Sequence, residues 1–309
     1  MAAVLLFIFP CLAAPAGPFP IDDILRSQLA TLEANGKLMI RGESITVNHV
    51  LSAIYAQSHF RARWISASTV SQLMTEIRRC RQDGLRSEDY HLDALEQMGL
   101  ESIGEIPSPS YLAQRDLLLT DALVRLAFHL YYGKVDPQTL HPRWRMQPYI
   151  GNLEAAALIN RKIEAGGIRL FIDSLRPDHP FYRRLRAALT TYRRMADAGG
   201  FPEIPDGPLI EKETRDSRVP LIRQRLQRSG DLPAASPDAG DLFDAAMEEA
   251  TARFQDRHRI ALFAPGVEDR YGAVGEETRE RMNIPIEHLI DRIRVNLERA
   301  RWVMRQLPR

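Results

Sequence analysis

The chain has 309 residues, 45% of them hydrophobic and 26% charged, which is ordinary globular material and long enough for two cores. With 41 basic and 40 acidic residues the net charge is +1, which removes the usual electrostatic reason to expect nucleic acid or an anionic membrane surface as partner. The basic residues are nearly all arginine, a pattern that codon usage in a GC-rich genome produces without selection for bidentate anion recognition.

Residues 2–14, AAVLLFIFPCLAA, are an apolar run, and Ala14-Pro15-Ala16 after it is an A-x-A-like processing pattern. Residues 1–16 therefore read as a signal peptide, although a basic n-region is missing. The run is too short to span a bilayer, so no stable membrane span is expected once it is removed. Cys11 leaves with it, and Cys80 then has no disulfide partner.

Gly17 to Thr46 follows as a polar, poorly periodic lead-in. Val47, Val50, Leu51 and Ile54 begin a helix, and Trp64 sits in a basic connector. Ser68 is a candidate N-cap for a helix whose apolar face runs Val70, Leu73, Met74, Ile77, Cys80, with Gly84-Leu85 as its stop. That spacing turns Cys80 inward, as a small core hydrophobe rather than an activated thiol. Tyr111 to Tyr132 is the most continuously apolar helix and is ended by Gly133, so it is expected at the centre of the first domain. His129 within it has no second ligand at metal spacing and reads as a core histidine.

Tyr182, Leu185, Leu189, Tyr192 and Met195 line one face of a later helix whose other side carries arginines. Such a run is usually a solvated face, with an anionic-polymer contact as the alternative. Gly199 to Pro208 marks a domain boundary. Beyond it Val219, Ile222 and Leu226 give a short helix, and Phe243, Met247, Ala250 and Phe254 recur at helical steps. In the glycine turn that follows, Gly272 and Gly275 supply backbone freedom and Thr278 begins another helical segment. Pro285 can open the last helix, whose seam is Ile286, Ile290, Ile293, Leu297, Ala300 and Met304.

The ordered run FQ-x-x-H at Phe254–His258, G-x-x-T at Gly275–Thr278, N-I-P at Asn283–Pro285 and I-R-x-N-L-E-R-x-R-W at Ile293–Trp302 resembles the peptidoglycan-binding-like module and linker helix of large periplasmic bacterial L,D-transpeptidases. Arg115–Pro137 and the segment from His179 to Pro208 resemble the scaffold domain of the same family. Two departures stand out: Tyr271-Gly272 where the family has Asp-Gly, and an apparent insertion from Phe263 to Arg270.

The resemblance implies an all-α protein with peptidoglycan as partner and a periplasmic location. Its implied layout is a helical scaffold domain over 17–198, a linker over 199–208, a small three-helix peptidoglycan-binding-like module over 209–284 and a linker helix over 285–309, leading toward a transpeptidase catalytic domain in cis or in trans. The family's chemistry is acyl transfer through a cysteine in a His-Gly-Cys-like context. No such context occurs in this chain, and neither do H-E-x-x-H, C-x-x-C, a P-loop or G-x-S-x-G. The expectation is a binding and scaffolding portion with no catalytic residue, metal or cofactor of its own. Gln255, His258, Tyr271 and Thr278 are the candidate peptidoglycan contacts because they flank the glycine turn, and Gln255 and Thr278 equally suit a role pinning that turn. Two other readings share these residues: a transpeptidase whose catalytic half is encoded downstream, and a wall-independent helical adaptor that pairs through residues 286–304.

Overall fold

A computed structural model of the protein describes residues 21–46, 49–101, 106–140, 151–260 and 269–304. The signal-peptide reading, Cys11 and most of the Phe263–Arg270 insertion lie outside the described residues. Among those described there are thirteen α-helices and one two-stranded sheet, and the all-α class holds with that sheet as its exception. The chain forms two compact units, one of residues up to Arg81 together with Leu85–Pro177, the other of Gln82–Gly84 together with Asp178–Arg309.

The first unit opens with α1 (Ile21–Asn35), where the sequence reading expected an irregular lead-in. Leu25, Leu29 and Leu32 recur at steps of four and three and are all buried, so the helical period was present but diluted by polar neighbours. A hairpin follows, β1 (Lys37–Ile40) antiparallel to β2 (Glu43–Thr46) with Leu38 opposite Ile45. Arg41 and Gly42 both have positive φ, 52° and 82°, which is the two-residue turn that matches the twist of such strands. Next come α2 (His49–Gln57) and α3 (Ala67–Arg79). Ser66, not Ser68, caps α3: its hydroxyl accepts from the Thr69 amide, and Thr69 itself is buried inside the first turn. After a 3-10 turn at Cys80–Asp83 the Leu85 amide closes on the Cys80 carbonyl, and Cys80 is buried as its helical position requires.

Two helices follow, α4 (Leu92–Glu101) and α5 (Pro109–Tyr132), the second capped by Ser108 and ended at Gly133. Leu117, Leu118, Leu119, Leu123, Leu126 and Leu130 on α5 are all buried, and they lie at the centre of a single apolar cluster running from Leu25 to Ile172. The short α6 (Pro137–Leu140), α7 (Asn152–Glu164) and α8 (Ile168–Ser174) complete the unit, with Asn160 of α7 donating to the Ile54 carbonyl. His129 is half-buried and bonded through Nδ1 to the Tyr90 hydroxyl at 2.9 Å.

The second unit starts earlier than the composition shift at 199 suggested, because α9 (Pro180–Asp197) packs on α13 (Ile286–Val303). Tyr182 and Leu189 from α9 meet Leu297 and Ala300 from α13, with Leu185, Ile290, Ile293 and Met304 packed around them. The C-terminal seam is thus covered within the chain and is not a free face for a partner helix, which removes the physical basis of the adaptor reading. Asp83 closes this pair, accepting from the Tyr182 hydroxyl and pairing with Arg186 at 2.8 Å. Arg186 and Arg183, which pairs with Asp178, therefore have carboxylate partners, as a solvated charged face does.

Between these two helices in sequence lie α10 (Val219–Ser229), α11 (Ala245–His258) and α12 (Glu276–Met282). Val219, Ile222, Leu226, Phe243, Met247, Ala250 and Phe254 are buried together, the faces the sequence period marks out. Asp244 caps α11, and Gly230 ends α10 in the left-handed region. None of the described helices is long and apolar enough to cross a membrane.

Candidate functional site

Gln255, Tyr271 and Thr278 meet at the turn of residues 269–278, which leads into α12, while His258 lies three residues beyond Gln255 on α11. Gln255, on α11 and 1% exposed, organises the turn. Its Nε2 lies within hydrogen-bond distance of the carbonyls of Arg270 (3.1 Å) and Ala273 (2.9 Å) and of the Thr278 hydroxyl (3.0 Å), and its Oε1 accepts from the Gly272 amide at 2.8 Å. One carboxamide thereby satisfies donors and acceptors that the turn would otherwise bury unpaired. Thr278 is fully buried. Both side chains are consumed inside the module, and neither presents a polar atom to a ligand.

The two glycines act differently from each other. Gly272 has φ +79°, the left-handed region, and a Cβ there would meet Glu248 Cγ at 2.9 Å. Gly275 has φ −97°, so conformational freedom is not its role; a Cβ there would collide with the carboxylate of Asp269. That carboxylate caps α12, accepting from the amides of Glu277 (3.1 Å) and Thr278 (2.9 Å), so α12 begins at Glu276, ahead of Thr278. Asp269 gave no local sequence signal because it caps from seven residues before the helix starts.

Tyr271 is the outward-facing member. It is 58% exposed, and its hydroxyl donates to Asp256 Oδ2 at 2.7 Å, a bond that also raises the phenol's pKa. A fixed aromatic edge on a rigid turn is suited to contact with a partner surface.

His258 is half-buried, its ring centroid 4.2 Å from that of Phe254. Burial, followed by the charges of Arg257 and Arg225, lowers its pKa to about 4. The unfolded chain, with an ordinary histidine pKa near ~6.5, binds the proton more readily than the folded one. Stability from this site is complete above that value and is lost as pH falls through about 4. The expected result is that His258→Gln flattens the part of the unfolding midpoint's fall that the wild type shows between pH 6.5 and 4. Parallel pH curves for the two proteins would refute it.

Residues 199–208, expected as a linker, are strapped to the module. The Gly200 carbonyl accepts from Arg228, and the Pro208 carbonyl from Arg218 at 2.6 Å. Asp206 pairs with Arg279 at 2.9 Å, and Asn283 exchanges two 2.9 Å hydrogen bonds with the Ile204 backbone. Arg225 stacks on Phe201 with Cζ 3.7 Å from the ring centroid. Sequence reading missed this set; the available signal was Arg225 lying three residues after Ile222, on the apolar side of its helix.

A family model described as a scaffold domain matches residues 49–189. The chain contains a scaffold domain. The match begins at α2 and runs through α5 into α9, so it takes in the buried helix around which the first core is built. No curated protein matches the chain. Among the described residues no group of three or more His, Cys, Asp or Glu side chains is placed to hold a metal ion.

Proposed function

We propose that the protein is an exported scaffold that docks on peptidoglycan through the module of residues 209–284 and positions an L,D-transpeptidase catalytic domain, supplied in cis or in trans, for cell-wall cross-linking. The observation that carries this reading is that residues scattered over the resembling motifs converge in one built element. Gln255, Gly272, Gly275 and Thr278 make a single hydrogen-bonded turn, and Asn283 pins the strap beside it. A turn so heavily cross-braced supports a rigid presenting surface, and Tyr271 is its exposed aromatic. The scaffold domain ahead of it is consistent with a protein whose work is placement.

The experiment is co-sedimentation of the purified chain with insoluble sacculi. The chain is expected in the pellet, and recovery in the supernatant refutes direct wall binding. Tyr271→Ala is expected to reduce the pelleted fraction several-fold while the thermal unfolding midpoint stays put, since an exposed side chain away from the core contributes little to stability. Unchanged sedimentation would take Tyr271 out of the contact surface.

A further inference from the structure

The buried guanidinium of Arg225 has no place in the wall-docking surface, and its surroundings describe a second site. Arg225 is 1% exposed. Its Nε donates to the Met282 carbonyl at 2.8 Å, while Nη1 is buried with no hydrogen-bond partner among the described residues. Asp231, the carboxylate whose charge bears on it, is already paired with Arg257. A cation buried with an open donor is expensive, and such a group commonly marks a missing acceptor.

Phe201 covers this cation on one side, and it also lines an open groove of about 410 Å³ whose walls are Gly199–Glu203 and Asn283–Glu287. Gly199 and Gly200, immediately before Phe201, have φ of +94° and +62° and close the end of α9, their amides bonded to the carbonyls of Ala196 and Met195, so the backbone at Phe201 is held while its side chain faces the groove. The groove lies at the N-terminus of α13, where Pro285 supplies no side-chain cap. The first amides of that 18-residue helix thus favour an anion at the groove. The remaining ionisable side chains of the groove, Glu203 and Glu287, are exposed carboxylates. They repel a dianion such as phosphate and attract an ammonium group.

We propose that the Phe201 side chain is a door that turns about its own Cα–Cβ bond, and that the groove, with Arg225 behind the door, binds a short zwitterionic peptide. The peptide's terminal carboxylate meets Arg225 Nη1 and the α13 amides, and its ammonium group meets Glu203 and Glu287. A purely cationic or purely anionic ligand satisfies only half of this arrangement. The site stands apart from the sacculus-binding reading and does not require it.

The test is calorimetric titration of the full chain with alanyl-alanine, its C-terminal amide, its N-acetyl derivative and inorganic phosphate. Alanyl-alanine is expected to bind, the amide and the N-acetyl form at least about tenfold more weakly, and phosphate not at all. Phe201→Ala removes the cost of opening and is expected to tighten the dipeptide by about tenfold. Glu203→Gln with Glu287→Gln, both at exposed positions, is expected to weaken the dipeptide by about tenfold and to leave the N-acetyl form unchanged. Equal affinity for dipeptide and amide, or no binding by either the wild type or Phe201→Ala, overturns the proposal. Dipeptide binding without sacculus binding would sink the wall-docking reading alone; sacculus binding without dipeptide binding would sink only this one.

Discussion

Gln255→Leu is expected to destabilise the second unit by about 4 kcal/mol, near the upper end for a single substitution. Leucine fills a similar volume, so the loss comes from hydrogen bonds and not from a cavity. The Gly272 amide, the Ala273 and Arg270 carbonyls and the Thr278 hydroxyl all lose their shared partner at once. Each buried group left unpaired costs about 1–3 kcal/mol, and the solvent-facing edge of the turn recovers part of it. Gln255→Glu is expected to do no better, because a carboxylate has no N–H to offer the carbonyls. Amide hydrogen exchange reads the outcome directly: protection should fall across α10, α11 and α12 and remain unchanged in α5. A loss below about 1 kcal/mol would mean that the turn holds itself without this side chain.

In the first unit the corresponding keystone is Asp116 on α5. One carboxylate oxygen accepts from the Tyr55 hydroxyl at 2.6 Å, the other from the backbone amides of Arg63 (2.8 Å) and Trp64 (2.9 Å). Thr120, one turn on, ties in the Trp64 indole N–H and the Tyr55 hydroxyl, both at 2.9 Å. Burial raises the pKa of Asp116 even though every one of these hydrogen bonds favours its charged form. The raised value also sets the sign of its pH dependence: relative to the unfolded chain the folded one holds this proton more tightly, so Asp116 lends more stability in acid and loses it as pH rises through the carboxylate range.

Asp116→Ala removes three acceptor contacts from a site 4% exposed. The expected cost is about 3–5 kcal/mol, a fall of roughly 10 °C in the unit's unfolding midpoint. Asp116→Asn keeps the shape and one acceptor but turns an N–H₂ toward donors, and about half that loss is expected. Midpoints by calorimetry for the two variants and the wild type test the order. An asparagine variant as stable as the wild type would show that the network does not need the charge.

What could be read in the chain itself was whatever depends on local period and local chemistry. The apolar steps of α5 and α11 mark buried faces and those of α9 and α13 faces that are buried in part, Cys80 points inward as its spacing requires, and Gly133 and Gly230 stop their helices. A helix imposes its 3.6-residue repeat on any sequence that fills it, so these features need no knowledge of the rest of the molecule. The candidate turn was equally visible as a position, because glycines flanking a helical break are local signals.

What each turn residue does was not visible. Gln255 suited a ligand contact and a turn brace equally, and only the packing of α11 against the turn shows that it is an internal brace while Arg257, two residues on, is half-exposed. Asp269 caps a helix across a gap, Arg225 is buried under Phe201, and 199–208 is strapped down by side chains from as far away as Asn283. The C-terminal seam carried the same ambiguity: a heptad-like stripe states that a partner exists and not whether it lies in another molecule or in α9 of the same chain. Burial and long-range hydrogen bonding are properties of two segments brought together, and a pattern along one segment carries no information about the other until the chain has folded.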